Sequence, residues 1–470
     1  MSAADSIDPS TGSGNCSGAQ GTEVGVVTEA GKAPESRHPA RQSWLLGLGL
    51  FGLAAAIGWF RIPASARSLI WADDAGFLSA AAASTNPAAT LLTPYDGYLH
   101  LLPRLLAAAT VAWVPVLEFP TALTALAVLV TAAVAVGVAW LARGIGIGPT
   151  GALALYGLTV GAPALANEVL GTAANLHWFA LWLAPWLFAY RPRTAWSGRL
   201  LGLVALAAAL TELQLALLLP LLLWRPTRDH RWWIASGAVL GLAAQAAATI
   251  FVPRESLGSP MDAAVVKLIG QGFVTQVGGA IWIPGWSFEG TLGWLGWLAV
   301  AAVLLLPSLM AAAWLLITKW QRPLTLALLG GAVALWVAAF VVNDLSGALL
   351  QSAPFPDAVR YAILRHAIVP GLYLSALIVI AADRLVQRRR LGTTVVAMVL
   401  IGALLFAAVS AVVSVVPNHR FVKRDSPTTW AQEVAQARST CALGGIEQIS
   451  LTVPPGPPWA VQLSCARLLR

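Results

Sequence analysis

Two adjacent carboxylates, Asp73 and Asp74 in the run Trp71-Ala-Asp73-Asp74-Ala-Gly-Phe77, form the acidic pair with the plainest chemical use. A carboxylate at a membrane surface can take a proton from an attacking hydroxyl. Neighbouring side chains point in different directions on either a helix or a strand. One of the pair is therefore expected to act as the base, with the other capping or orienting, and Asp73 is the expected base. The competing reading makes both the N-cap of a helix over 75–83. Arginine suits phosphate, because its planar fork of donors matches phosphate oxygens, and Arg104, Arg360 and Arg365 are the candidates. Arg360-Tyr361 and Arg365-His366 precede an apolar run on the side where basic residues are scarce, although snorkelling towards headgroups would also place them there. His100, Asn167, Glu168, Asn175, His177 and Trp178 could bind hydroxyls or pass protons, and for any single one a structural hydrogen bond explains it as well. Glu212 sits mid-way along an apolar run, where a buried carboxylate is expensive unless partnered, so function is its default reading.

These groups belong to a chain of 470 residues that is 58% hydrophobic and 11% charged, with a mean hydropathy of +0.73. Soluble domains carry roughly 25% charged residues, so a soluble reading is excluded. The net charge of +8 gathers in short clusters between apolar runs, which marks cytoplasmic loops rather than a nucleic-acid partner. The expected fold is an all-α polytopic membrane protein with about 11 transmembrane helices.

Residues 1–42 read as a disordered cytoplasmic tail with no evident cleavable signal, and residues 43–416 as the transmembrane domain. After a first span at 43–60, residues 61–120 carry too many polar groups for lipid and form a first extracytoplasmic loop. Within it, 99–114 holds Pro103 and Arg104 and is short, so an interfacial helix is expected. Later spans are expected at 121–142, 150–166, 178–190, 232–252, 294–317, 324–342, 365–383 and 392–416. The run 200–224 is read as two short helices meeting near Glu212. Outer loops are expected at 253–293 and 343–364. The segment 417–470 then ends outside, where Cys441 and Cys465 are able to form a disulfide. The Ala, Leu, Arg and Gly bias suggests a bacterial plasma membrane.

The order of these parts resembles the membrane-embedded glycosyltransferases of the C-type fold (GT-C), in particular those similar to protein O-mannosyltransferases and aminoarabinose transferases. The resemblance is carried by one span followed by Asp73-Asp74, an interfacial helix at Tyr95-Asp-Gly-Tyr98-Leu-His100-Leu-Leu-Pro-Arg104, and a helix ending in Trp140-Leu-Ala-Arg143. The hairpin around Asn167-Glu168 and Asn175-Leu-His177-Trp178 and the split run at Glu212 follow. It covers roughly residues 43–225. It implies a first-loop carboxylate, matched by Asp73 or Asp74, that serves as catalytic base or holds a metal. It implies an inverting-type transfer of a sugar from a polyprenyl-phosphate donor to an envelope glycan, lipid or protein acceptor on the outer face. Membrane lipids are the remaining expected partners. No further Asp-x-Asp stands in an outer loop, which leaves a divalent metal ion open.

No phosphate-binding GxxxxGK[ST], no GxSxG elbow and no His/Cys cluster at zinc spacing is present, so ATP hydrolysis, serine-hydrolase chemistry and structural zinc have no support. A transporter or flippase of lipid-linked glycans is the alternative function, and an envelope scaffold a third. A transporter needs its polar groups along a midplane path, whereas here most fall in loops.

Overall fold

The computed structural model describes residues 39–163, 165–223, 230–252, 262–282, 288–343, 365–415, 426 and 428–470. The chain divides into Met1–Leu45 and Leu46–Arg470. Of the first unit only the opening of helix α1 (Pro39–Arg61) is described, so the expected tail 1–42 lies almost wholly outside the described residues.

The second unit is overwhelmingly helical, as an apolar chain that must satisfy its own backbone demands. Its helices are α2 (Asp73–Ala83), α3 (Leu101–Trp113), α4 (Phe119–Gly144), α5 (Pro149–Gly161), α6 (Leu176–Ala189), α7 (Ala195–Ala209) and α8 (Trp232–Phe251). They continue with α9 (Ala263–Trp282), α10 (Phe288–Ile317), α11 (Arg322–Val342), α12 (Ile368–Gln387), α13 (Leu391–Val415) and α14 (Trp430–Ala442). Local sequence sets many starts. Proline, which lacks the N–H that a first turn leaves unused, opens α4, α5 and α11. Capping boxes at Thr194/Ser197 and Thr429/Gln432 open α7 and α14.

Among the described residues seven helical runs are long and apolar enough to cross a membrane: Trp44–Arg61, Val116–Gly144, Trp232–Phe251, Ala263–Trp282, Arg322–Val342, Arg365–Gln387 and Leu391–Ser410. The chain is a polytopic membrane protein. Helix α12 is its axis: it is apolar on every side and buried almost throughout, as expected of a helix surrounded by others. Its own Tyr373 is fully buried, as are Trp182, Trp186 and Trp336 of α6 and α11. Helices α7 and α8 touch backbone to backbone, and a Cβ on Gly237 would collide with the carbonyl of Gly202. Small residues at a membrane helix interface allow such an approach.

Helix α5 is capped at both ends by charges from other helices. Asp383 of α12 accepts from Gly148 N at 2.7 Å and Gly151 N at 3.0 Å. At the other end the fully buried Arg61 donates to the carbonyls of Val160 and Ala162. Anion at the N-terminus and cation at the C-terminus oppose the helix dipole, so two costly buried ions act as caps.

The first loop holds α2 and α3. Helix α3, of 13 residues, buries one face, including Arg104, while Leu105 and Trp113 are exposed. The run 200–224 breaks at Thr211-Glu212, with α7 on one side and a second short helical run, Leu213–Leu223, on the other. The expected loop 253–293 contains, among its described residues, the helix α9, whose apolar run Lys267, Gln271 and Gln276 interrupt. Near its start, the Ile269 carbonyl accepts from the Trp336 indole at 2.9 Å. Near its end, Ala280 meets Gly371. Trp336 lies within two turns of the C-terminal end of α11 and Gly371 within one turn of the start of α12, so α9 lies across the bundle. The loop expected at 343–364 falls, beyond Asn343, outside the described residues.

The C-terminal segment adds two short strands to an otherwise helical chain. Strands β1 (Gln448–Thr452) and β2 (Ala460–Ser464) pair antiparallel with Leu451 opposite Val461, and their alternate apolar residues turn inward. Each strand has only 5 residues, too few to stand out beside 20-residue apolar helices. Cys441 and Cys465 are disulfide-bonded. The segment docks on the first loop: the Trp430 indole donates to the Val116 carbonyl at 2.8 Å, Gln462 N to Ser79 Oγ at 2.9 Å, and Ala72 N to the Pro454 carbonyl at 2.9 Å. The two segments therefore share one end of the bundle.

Candidate functional site

The two adjacent aspartates separate at the first turn of α2. Ala72, just before it, takes a left-handed φ of 38°, and its N–H is held by Pro454. Asp74 is 3% exposed and accepts from the backbone N–H groups of Ala173, at 3.3 Å, and Ala174, at 2.7 Å. It ties α2 to the turn that leads into α6. Asp73 points instead into a cavity of about 360 Å³.

One wall of the cavity is Tyr95-Asp96-Gly97-Tyr98. Asp96 and Gly97 have φ of 48° and 83°, and Tyr95 and Tyr98 exchange backbone hydrogen bonds. Two successive positive φ values define the tight hairpin turn for which Asp-Gly is a preferred pair. The turn sets both tyrosines beside His100, whose ring lies 4.0 Å from that of Tyr98 and 5.7 Å from that of Tyr95. Gln245 of α8 locks the following residue in place, accepting from Leu99 N at 2.8 Å and donating to the Leu99 and Ala209 carbonyls. Tyr95 donates to Asp73 Oδ1 at 3.3 Å. Burial first, then the Asp73 charge, raises the Tyr95 phenol above its ordinary range, so it remains a donor at any working pH.

The opposite wall comes from the start of α6 and the segment before it. Arg365 reaches across from the start of the α12 run, 3.0 Å from Glu168 Oε1 and 3.6 Å from Asp73 Oδ2. Asn175 donates to the Glu168 carbonyl at 3.1 Å and to Thr172 Oγ1 at 2.7 Å, and accepts from the Trp178 indole at 3.2 Å. His177 Nδ1 lies 2.5 Å from Glu212 Oε2, and Glu212 Oε1 accepts from Gln214 N at 2.8 Å. Glu212, 2% exposed, is therefore satisfied on both oxygens at the break of the split run. Thr249, Val341, Val342, Asn343 and His366 complete the lining.

Of the residues singled out from sequence, the fold brings Asp73, His100, Asn175, His177, Trp178, Glu212 and Arg365 to this cavity, with Glu168 bonded to Arg365 behind it. Asp74 and Arg104 are placed elsewhere. Arg104, 3% exposed, donates to the Pro94 carbonyl and stacks its guanidinium 5.5 Å from the Phe77 ring centroid, so it braces the hairpin from behind. Trp178 is 3% exposed, with His177 against its ring at 4.2 Å and His366 edge-on at 5.3 Å. This leaves it little open face for stacking on a ligand. Arg360 and Tyr361 lie outside the described residues, as does the Asn167 side chain.

Sequence reasoning missed Tyr95, Asp96, Tyr98, Gln214, Asn343 and His366 as cavity residues. The Asp-Gly pair between two tyrosines was the available signal for the first three. Among the described residues no three His, Cys, Asp or Glu side chains converge as a metal site. The assembled groups can accept a proton at Asp73, relay one through His177 and Glu212, and hold a single anion at Arg365. No family model and no curated protein matches the chain.

Proposed function

We propose that the chain is an inverting membrane glycosyltransferase similar to the C-type fold, moving a sugar from a polyprenyl-phosphate donor to an envelope glycan, lipid or protein acceptor. The observation that carries the reading is the fate of the paired aspartates: Asp74 is bound to backbone, while Asp73 faces a polar cavity containing Arg365 and the His177–Glu212 pair. In this reading Asp73 takes the acceptor hydroxyl proton, the acceptor oxygen bonds to the anomeric carbon, and the bond from that carbon to the phosphate oxygen breaks. A carboxylate that gains the proton loosens its hold on Arg365, and the guanidinium is freed for the negative charge arriving on the phosphate. His177 and Glu212 offer a second proton acceptor on the other side of the cavity.

Taking α1, α4 to α8, the Leu213–Leu223 run and α10 to α13 as crossings, with α3 and α9 at the boundary, gives about eleven. The clusters Arg143, Arg191/Arg193/Arg199, Lys319/Arg322 and Arg388–Arg390 all lie at the end opposite the cavity, which makes that end cytoplasmic by the positive-inside rule. The cavity, the first loop and the disulfide-bonded C-terminal segment are then outside, in a compartment where disulfides persist. A bacterial plasma membrane is the proposed location. The test is to purify the protein in nanodiscs, supply polyprenyl-phosphate sugars and measure sugar release or transfer. Turnover lost on Asp73→Asn in a folded protein supports the reading. Equal turnover in wild type and Asp73→Asn, or none in wild type with any of these sugars, overturns it.

A further inference from the structure

A second cavity, of about 590 Å³, lies at the far end of the bundle. Helices α6, α8 and α11 each run from one cavity to the other. Residues near Leu176, Thr249 and Val342 line the first, and Ala189, Arg231 and Arg322 line the second. The 21 residues of α11 span about 30 Å, the thickness of a hydrocarbon core, so the second cavity opens at the opposite membrane boundary.

Among the described residues its lining contains four cations from three separate stretches of chain, Arg191 after α6, Arg231 before α8, and Lys319 and Arg322 in the α10–α11 turn, and no acidic residue. Arg191, Lys319 and Arg322 are exposed, and none forms an ion pair with a carboxylate among the described residues. Arg231 is buried, its guanidinium held by the Phe188 carbonyl at 2.6 Å and the Leu221 carbonyl at 3.4 Å. The turn is built firmly. Lys319 and Gln321 adopt left-handed φ of 58° and 41°, and Gln321 is bonded to the Ile145 carbonyl at the end of α4. The like charges of Arg191, Lys319 and Arg322, gathered at the mouth of a preformed concave site, repel one another less when an anion is bound between them. Two or more guanidinium forks match phosphate oxygens better than a lone carboxylate.

We propose that this cavity is a binding site for a phosphate group, supplied by the headgroup of an anionic glycerophospholipid in the adjoining leaflet. Basic pockets between helices at a membrane boundary hold such headgroups. Bound there, the lipid clips the α10–α11 turn to α6 and α8, whose opposite ends build the candidate site. The proposal does not depend on the glycosyltransferase reading.

The test uses the full chain in detergent, titrated with phosphatidylglycerol or phosphatidylcholine and read by native mass spectrometry. Wild type is compared with Arg191→Gln/Arg322→Gln and with Arg389→Gln/Arg390→Gln, an exposed pair at the same end but outside the cavity. All four positions are exposed, so both variants are expected to fold. The expected result is one phosphatidylglycerol retained in preference to phosphatidylcholine, weakened roughly tenfold or more in the first variant and little changed in the second. Inorganic phosphate or pyrophosphate raising the melting temperature of wild type but not of the first variant, without preference between the two lipids, supports the phosphate site and assigns it a soluble ligand. Equal retention of both lipids with no effect of either phosphate overturns the proposal, as does equal loss in the two variants.

Discussion

His177 Nδ1 stands 2.5 Å from Glu212 Oε2, joining the first turn of α6 to the break after α7 across 35 residues of sequence. The contact gives the buried Glu212 a partner and gives His177 a fixed ring orientation. Glu212→Gln keeps the shape and the bond from Gln214 N while removing the charge. If the pair relays a proton, sugar transfer falls about 10²-fold or more with the melting temperature nearly unchanged. Unaltered kinetics would reduce the pair to a structural link.

Asp73 and Asp74 are expected to fail in different ways. Asp74→Asn has one oxygen to serve two backbone donors, so about 1–3 kcal/mol of stability is lost, seen as a lower melting temperature, while the folded fraction stays active. Asp73→Asn leaves the melting temperature near that of wild type and abolishes transfer. The reverse assignment of the two effects would show that the base has been misidentified.

Arg365 bridges Glu168 and Asp73 with one guanidinium. Lysine keeps the charge but loses the fork. Arg365→Lys is expected to raise the donor KM by roughly tenfold, and Arg365→Gln to raise it further, in assays at fixed acceptor. An unchanged KM in both variants would remove Arg365 from the phosphate.

The Tyr95 phenol, raised by burial and by Asp73, favours the folded state while protonated. Its contribution is complete below the ordinary tyrosine value of about 10 and is lost as pH rises beyond it towards the folded-state value. Denaturant melts of Tyr95→Phe should therefore lose less stability above pH ~10 than wild type. Parallel curves would show that the phenol is not held as described.

Replacing Cys441 and Cys465 by serine opens the clasp between α14 and the end of β2. About 2–4 kcal/mol should be lost, local to the C-terminal segment, and limited proteolysis should cut within 428–470 before any site in the bundle. Cleavage spread evenly through the chain would indicate that the segment and the first loop unfold with the bundle.

Composition and run length were enough to determine that this chain lives in a membrane as a helical bundle, because lipid forces every backbone group into helical bonds and leaves polar residues few places to stand. The same scarcity made the polar short-list readable: Asp73, His100, Asn175, His177, Glu212 and Arg365 were visible one by one against an apolar background, and the break at Glu212 with them. Their pairing was not visible. Spacing tells which way a side chain leaves its own element but not which element it meets, and the decisive partners are far apart in sequence, as with Glu168 and Arg365 or Asp74 and Ala174. Two strands of 5 residues were likewise too short to register, and the polar interruptions of α9 hid the helix within the expected loop 253–293. Only tertiary packing decided that Asp73 rather than Asp74 faces the cavity, that Arg104 stands behind the Tyr95–Tyr98 turn, and that four cations meet at the far end. Each outcome depends on which helices are neighbours, a choice made by the shape of the whole buried interface rather than by any local run of residues.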